Sequence, residues 1–140
     1  MQFSEEIRIN APCSVIFSIY SKVNEWPNWD PDVAEASLFG SFSQGAKGKL
    51  KPSDGPKTKI RLTEVVENKA FTVCSNLPLC KIIFEHDLEA LPTSTRVIHR
   101  VSFRGPLKHL FSHLIGPKIR QGLPESLKGL KLASEKYCSD

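Results

Sequence analysis

A chain of 140 residues, with 40% hydrophobic and 24% charged side chains, is long enough to bury one hydrophobic core. Its ordinary composition excludes fibrous and low-complexity classes, and its formal net charge of +4 is mild. No apolar run reaches the length of a membrane span, and the opening MQFSEEIRIN lacks the basic and apolar regions of a secretory signal.

Residues 3–10 alternate as a strand, with Phe3, Ile7 and Ile9 on one side and Glu6 and Arg8 on the other. Residues 11–20 read as a short helix: Pro12 suits a first turn, and Val15, Ile16 and Ile19 recur at helical spacing beside Tyr20. NEWPNWDPDV (24–33) then holds both tryptophans, each beside a proline that forbids regular structure.

From Ala34 to Arg104 strands and turns alternate. Strand pieces at 33–40 and 45–51 flank an SFSQG turn, and SDGP (53–56) turns the chain into 58–67. There Ile60, Leu62, Glu64 and Val66 share one parity, which points a carboxyl inward; a buried carboxyl has a raised pKa. Strands at 70–76, 80–90 and 95–104 follow, joined by ENK, NLP and LPTS turns. Short turns between consecutive strands mean an antiparallel meander. Register set by LPTS pairs Glu85 with Arg100, Glu89 with Arg96, Phe84 with Val101 and Ile82 with Phe103, and it places His86 opposite His99 facing inward.

Residues 107–136 are helical in pattern, with Ile115, Ile119, Leu123, Leu127 and Leu130 in one stripe. Pro117, Pro124 and three glycines predict kinks and a helix held by tertiary packing. The whole is one α+β domain spanning 1–140.

The opening IRINAPCSVIFSIY, the WPNWDPDV segment, EVVENKAFTV, STRVIHRVSFRGPL and LKGLKLASE together resemble polyketide cyclase/dehydrase-type members of the START-like (SRPBCC) superfamily, over nearly the whole chain. The resemblance implies a helix-grip fold: a curved antiparallel sheet of about seven strands around a long C-terminal helix. It also implies a hydrophobic cavity between them that binds lipid-like, polyketide-like or aromatic compounds, with a minority of members being enzymes.

In such a cavity the expected wall is Trp26, Trp29, Ile60, Leu62, Phe71, Phe84, His86, His99, Phe103, Ile119 and Leu123, with Gly122 leaving room on the helix. The candidates for acid–base chemistry are His86, His99 and Glu64, since two imidazoles can exchange protons near neutral pH. The leading expectation is binding of a hydrophobic or aromatic small molecule; the alternative is a cyclase or dehydratase using those residues. His109 and His113 have i,i+4 spacing but no third ligand, so no metal is expected. No GxGxxG, P-loop or GxSxG motif is present, and no cofactor is expected. Lysines and arginines are scattered among acids in the sequence, so a solvated sheet face is expected and no nucleic-acid partner. Cys13, Cys74, Cys80 and Cys138 show no CxxC spacing, which fits free thiols in a cytoplasmic protein, monomer or homodimer.

Overall fold

In the computed structural model, which describes residues 2–139, one antiparallel sheet of seven strands runs in the order β1-β7-β6-β5-β4-β3-β2. The strands are β1 (Gln2–Ile9), β2 (Val33–Phe39), β3 (Lys47–Pro52), β4 (Thr58–Val66), β5 (Ala70–Leu77), β6 (Cys80–Ala90) and β7 (Thr95–Arg104). Helix α1 (Cys13–Ser21) and a 3-10 helix (Val23–Asn28) lie between β1 and β2. Helices α2 (Lys108–Leu114) and α3 (Gly116–Ser139) close the chain. This is the helix-grip arrangement.

The sheet follows from binary patterning. Along β7, Thr95, Val97, His99, Val101 and Phe103 are buried while their neighbours are not, the period of a strand with one dry face. The register expected from LPTS holds: His86 lies opposite His99, Phe84 opposite Val101, and Ile82 opposite Phe103. On the wet face Arg100 Nη1 reaches Glu85 at 3.1 Å and Arg96 Nη1 reaches Glu89 at 3.1 Å.

Parity fails in β4. The register with β5 shifts between Leu62 and Glu64, so the strand carries a bulge. An extra residue there re-phases the chain. Leu62 is fully buried, but Val65, not Val66, packs on the core, and Glu64 points to solvent. Glu64 is therefore not an inward acid.

The single C-terminal helix expected from the stripe is two helices, divided at Ile115. The break precedes Gly116 and Pro117, and Pro117 has no N–H to carry the hydrogen-bond ladder back to the His113 carbonyl. Pro117 itself sits in the first turn of α3, where the N–H it lacks would have no helical partner. Pro124 remains inside α3.

Two apolar clusters hold the layers together. The larger joins Ile9, Ile16, Tyr20, Trp26, Phe71 and Val97 to Leu127 and Leu130 of α3. The smaller joins Phe3, Ile82, Val101 and Phe103 to Leu123. Phe84 packs against both.

Candidate functional site

The interior has a polar centre that two strands and α1 assemble. Tyr20, on the buried side of α1, sets its hydroxyl 2.6 Å from Nε2 of His99. His99 faces His86 edge-on across the β6–β7 pair, with ring centroids 4.6 Å apart. His86 stacks flat on Phe71 at 4.0 Å, and its Nδ1 lies 3.2 Å from the Phe71 carbonyl oxygen. A carbonyl can only accept, so Nδ1 carries the hydrogen, and in a neutral ring Nε2 is the bare nitrogen.

Burial sets the charge state of this centre. Desolvation holds the His86 pKa down at about 4. Desolvation first, and the neighbouring His86 second, push His99 well below the ordinary imidazole range. Both rings are neutral at pH 7. Burial, aided by Asp30 and Asp87, raises the Tyr20 phenol well above its usual value. The centre is a neutral phenol–imidazole pair with a second neutral imidazole at its side.

The tryptophan segment forms the adjoining wall. Trp26 is buried, and its indole N–H donates to the Tyr20 carbonyl at 2.9 Å. Trp29 meets Tyr20 and Trp26 edge-on at 6.0 and 6.5 Å. Its Nε1 is buried without a hydrogen-bond partner, a cost of about 1–3 kcal/mol unless something accepts from it.

Helix α3 docks on the next residues of that segment. Ser126 Oγ donates to Asp30 Oδ1 at 2.7 Å, and the Asp32 N–H donates to the same oxygen at 2.9 Å. Desolvation nevertheless raises the Asp30 pKa to about 6, against the pull of those two bonds. A Cβ at Gly129 would overlap the Trp29 carbonyl, and one at Gly122 would overlap the Asp32 carboxylate. Gly122 thus makes room for Asp32, not for a ligand.

The expected wall residues divide between the clusters. Trp26, Trp29, Ile60, Leu62 and Phe71 gather around Tyr20 in the larger one; Phe103, Leu123 and Ile119 belong to the smaller. Phe84 bridges them. These side chains pack on one another. Under α2 and the start of α3, Leu107, Phe111, Ile115 and Ile119 are only partly buried.

Sequence reasoning missed Tyr20 as the partner of His99, and Asp30 as a buried carboxyl. The spacing of Gly122, Ser126 and Gly129 on one helix face was the available signal for close docking of another segment. His109 and His113 are exposed on α2, with no cluster of three metal-ligating side chains among the described residues. Cys13, Cys74, Cys80 and Cys138 are free thiols, and no described helix is long and apolar enough to cross a membrane.

The profile of a family described as "Polyketide cyclase / dehydrase and lipid transport" matches residues 1–135. No curated protein matches the sequence. Among solved structures, the di-domain ARO/CYC StfQ from the steffimycin biosynthetic pathway superposes with a TM-score of 0.78 at 11% identity, covering 99% of this chain and 52% of that one. A point mutant of norcoclaurine synthase from Thalictrum, in complex with a transition-state analogue, gives 0.76 at 12% identity, covering 98% and 95%. Ara h 8.0201 gives 0.75 at 16% identity, covering 97% and 98%. At these identities the likeness is one of fold.

Proposed function

Since the chain belongs to the polyketide cyclase/dehydrase and lipid-transport family, we propose that it binds a hydrophobic or aromatic small molecule between the sheet and helices α2 and α3. The observation that carries this reading is the partly covered apolar row Leu107, Phe111, Ile115 and Ile119, which packs, as Phe84 does, against the cluster of Ile82, Val101, Phe103 and Leu123. Apolar surface left half-wet on the inner side of a helix gains about 25 cal/mol for each Å² that a ligand covers. Access comes by displacement of α2, whose seven residues lie between Gly105–Pro106 and Gly116–Pro117. The wall residues, in this reading, are those named from the sequence, with Trp29 offering its unpartnered N–H.

Extraction of the purified protein with organic solvent, followed by mass spectrometry, tests the proposal directly. A stoichiometric apolar compound is the expected result. Empty protein that also fails to enhance the fluorescence of an apolar naphthalene dye overturns it. A cytoplasmic location and a monomer or homodimer go with this reading.

The Tyr20–His99 pair favours a second reading, in which the bound molecule is cyclised or dehydrated. A neutral phenol beside two neutral imidazoles can give a proton to one oxygen and take one from a neighbouring carbon. His99→Ala that keeps ligand and loses turnover supports this, whereas retained turnover removes it.

A further inference from the structure

Pairing register gathers on the outer face of the sheet cations that the sequence scatters. Across the strands, Ser37 lies opposite Lys49 and Lys49 opposite Lys59. Asn76 lies opposite Lys81 and Lys81 opposite Arg104. The two halves meet because Ile60 faces Ser75, which sets Lys59 beside Asn76. The neighbouring outward row runs Phe39, Lys47, Arg61, Cys74, Ile83, Ser102 and Gln2.

Neither row contains a carboxylate. The first acids on the inner-strand side are Glu64 and Glu85, one row further on, and Glu85 is already taken by Arg100. Glu35, at the corner of the sheet, pairs with Lys57. Lys47, Lys49, Lys59, Arg61, Lys81 and Arg104 are all exposed, and none makes an ion pair among the described residues.

Three of the contacts are like-charge pairs directly across a strand pair: Lys47 with Arg61, Lys49 with Lys59, and Lys81 with Arg104. Such pairs destabilise a sheet, and no ion pair among the described residues offsets them. Two hollows open on the same face. One is lined by Arg61, Thr63, Asn76 and Lys81, the other by Gln2, Ser102, Arg104 and Lys108 together with the paired Arg100 and Glu85. The Lys81–Arg104 pair joins them.

We propose that this acid-free double row, crossing the sheet from β2 to β7, binds the backbone of a single-stranded nucleic acid without reading its sequence. The cations, on β3, β4, β6 and β7, form a line about 19 Å long, four strand spacings, which matches a linear polyanion. The face is the outer side of a sheet whose inner side grips a helix, so it is convex. A flexible single strand follows a convex face, whereas a stiff duplex or a flat bilayer touches only its crown. A bilayer also needs apolar anchors, and Phe39, 64% exposed at the end of the row, is the one large exposed apolar side chain in it. A ring beside Lys47 is instead suited to stack on a base. The partner binds through charge, so affinity depends steeply on salt.

The test is fluorescence anisotropy of the full-length protein with fluorescein-labelled oligothymidylate and oligouridylate of about 20 nucleotides, titrated between about 50 and 200 mM salt. With six phosphate contacts the expected slope of log K against log salt is about −4. The triple variant Lys59→Gln/Lys81→Gln/Arg104→Gln is expected to reduce the slope to about −2 and weaken binding at least tenfold at low salt. Its melting temperature should be equal or higher, because repulsion has been removed. A matched variant on α3, Lys118→Gln/Lys128→Gln/Lys136→Gln, is expected to bind as wild type. No binding at low salt overturns the proposal. So does equal loss in both triple variants, or binding to phosphatidylserine vesicles without binding to either oligonucleotide.

Discussion

The Tyr20 hydroxyl and His99 Nε2, 79 positions apart in sequence, lie 2.6 Å from each other inside the protein. The bond ties α1 to β7 across the core. Neither group has water to turn to, so removing one leaves the other unpaired. Tyr20→Phe is expected to lower the unfolding free energy by about 1–3 kcal/mol, read as a shift of the urea midpoint at constant slope. A loss below about 0.5 kcal/mol, within the ordinary scatter of surface changes, means that the bond contributes little.

Protonation of the same centre gives a pH dependence whose sign is fixed. Below about pH 6.5 the unfolded chain protonates its histidines, while folded His86 stays neutral down to about pH 4 and burial holds the folded His99 pKa well below the ordinary imidazole range. The unfolded state then binds more protons, so both imidazoles make stability fall as pH drops from about 6.5 to 4. Asp30 acts in the opposite sense. Its folded pKa of about 6 exceeds its unfolded value, so as pH falls below 6 the folded state gains the proton first and is stabilised. Asp32, raised by burial to a smaller extent, acts with Asp30, and the two large imidazole shifts outweigh both to give a net loss on the acid side. His99→Gln, which keeps an acceptor or donor for Tyr20 and does not titrate, is expected to flatten that limb. Asp30→Asn is expected to steepen it and to raise stability at pH 7. Melting temperatures measured from pH 4 to 8 check both.

How far this centre was legible depends on the physics of each part. Strands β6 and β7 are joined by a short loop, so local spacing alone brought His86 opposite His99, and the structure agrees. The β4 bulge is a backbone event with no mark in the residues, and one extra residue was enough to turn Glu64 outward. Tyr20, Asp30 and Ser126 meet their partners across long stretches of chain, and periodicity carries no information about which helix face will touch which loop. The outer cations show the same limit. Lys59, Lys81 and Arg104 become neighbours only once four strands are in register.

The two tryptophans are expected to separate in their effects. Trp26 is buried and hydrogen-bonded, so Trp26→Ala should cost about 3–5 kcal/mol and threaten folding. Trp29→Phe keeps a ring against Tyr20 and removes an N–H that has no partner, so the protein should fold with a loss below about 1.5 kcal/mol, as for a near volume-conserving swap. If the proposed ligand offers an acceptor to that N–H, the variant will hold less of it after purification. Equal ligand content in wild type and Trp29→Phe assigns Trp29 to packing alone.

Glycines in α3 provide a case where a general rule reverses. In an exposed helix interior Gly→Ala stabilises by up to about 1 kcal/mol. At Gly129 the added methyl meets the Trp29 backbone carbonyl, and at Gly122 it meets the Asp32 carboxylate. Both substitutions are expected to destabilise, by about 1–3 kcal/mol. Gly129→Ala should be the worse, since a backbone carbonyl held by Trp29 cannot swing aside as a carboxylate can. Urea unfolding of the two variants, with Lys128→Ala between them as a helix-propensity control, separates steric overlap from propensity. A stabilised Gly129→Ala contradicts the close docking of α3 on the tryptophan segment.

The β5–β6 turn holds a strained residue of the opposite kind. Leu79 has φ of 55°, a left-handed conformation that costs a residue with a Cβ about 1–2 kcal/mol. Its side chain is 65% exposed, so packing recovers little of that. Its carbonyl accepts from the Leu107 N–H at 3.0 Å, which fixes the turn against the start of α2. Leu79→Gly keeps this backbone bond and removes the strain, at some cost in unfolded-chain entropy. A net gain of about 0.5–1 kcal/mol is expected, equivalent to a rise of about 2–4 °C in melting temperature for a chain of this size. Gly105→Ala is the complementary variant: φ there is 112°, and a Cβ would sit 2.7 Å from the Leu79 carbonyl oxygen. It should destabilise, and the two changes together should fall short of additivity because they share that carbonyl.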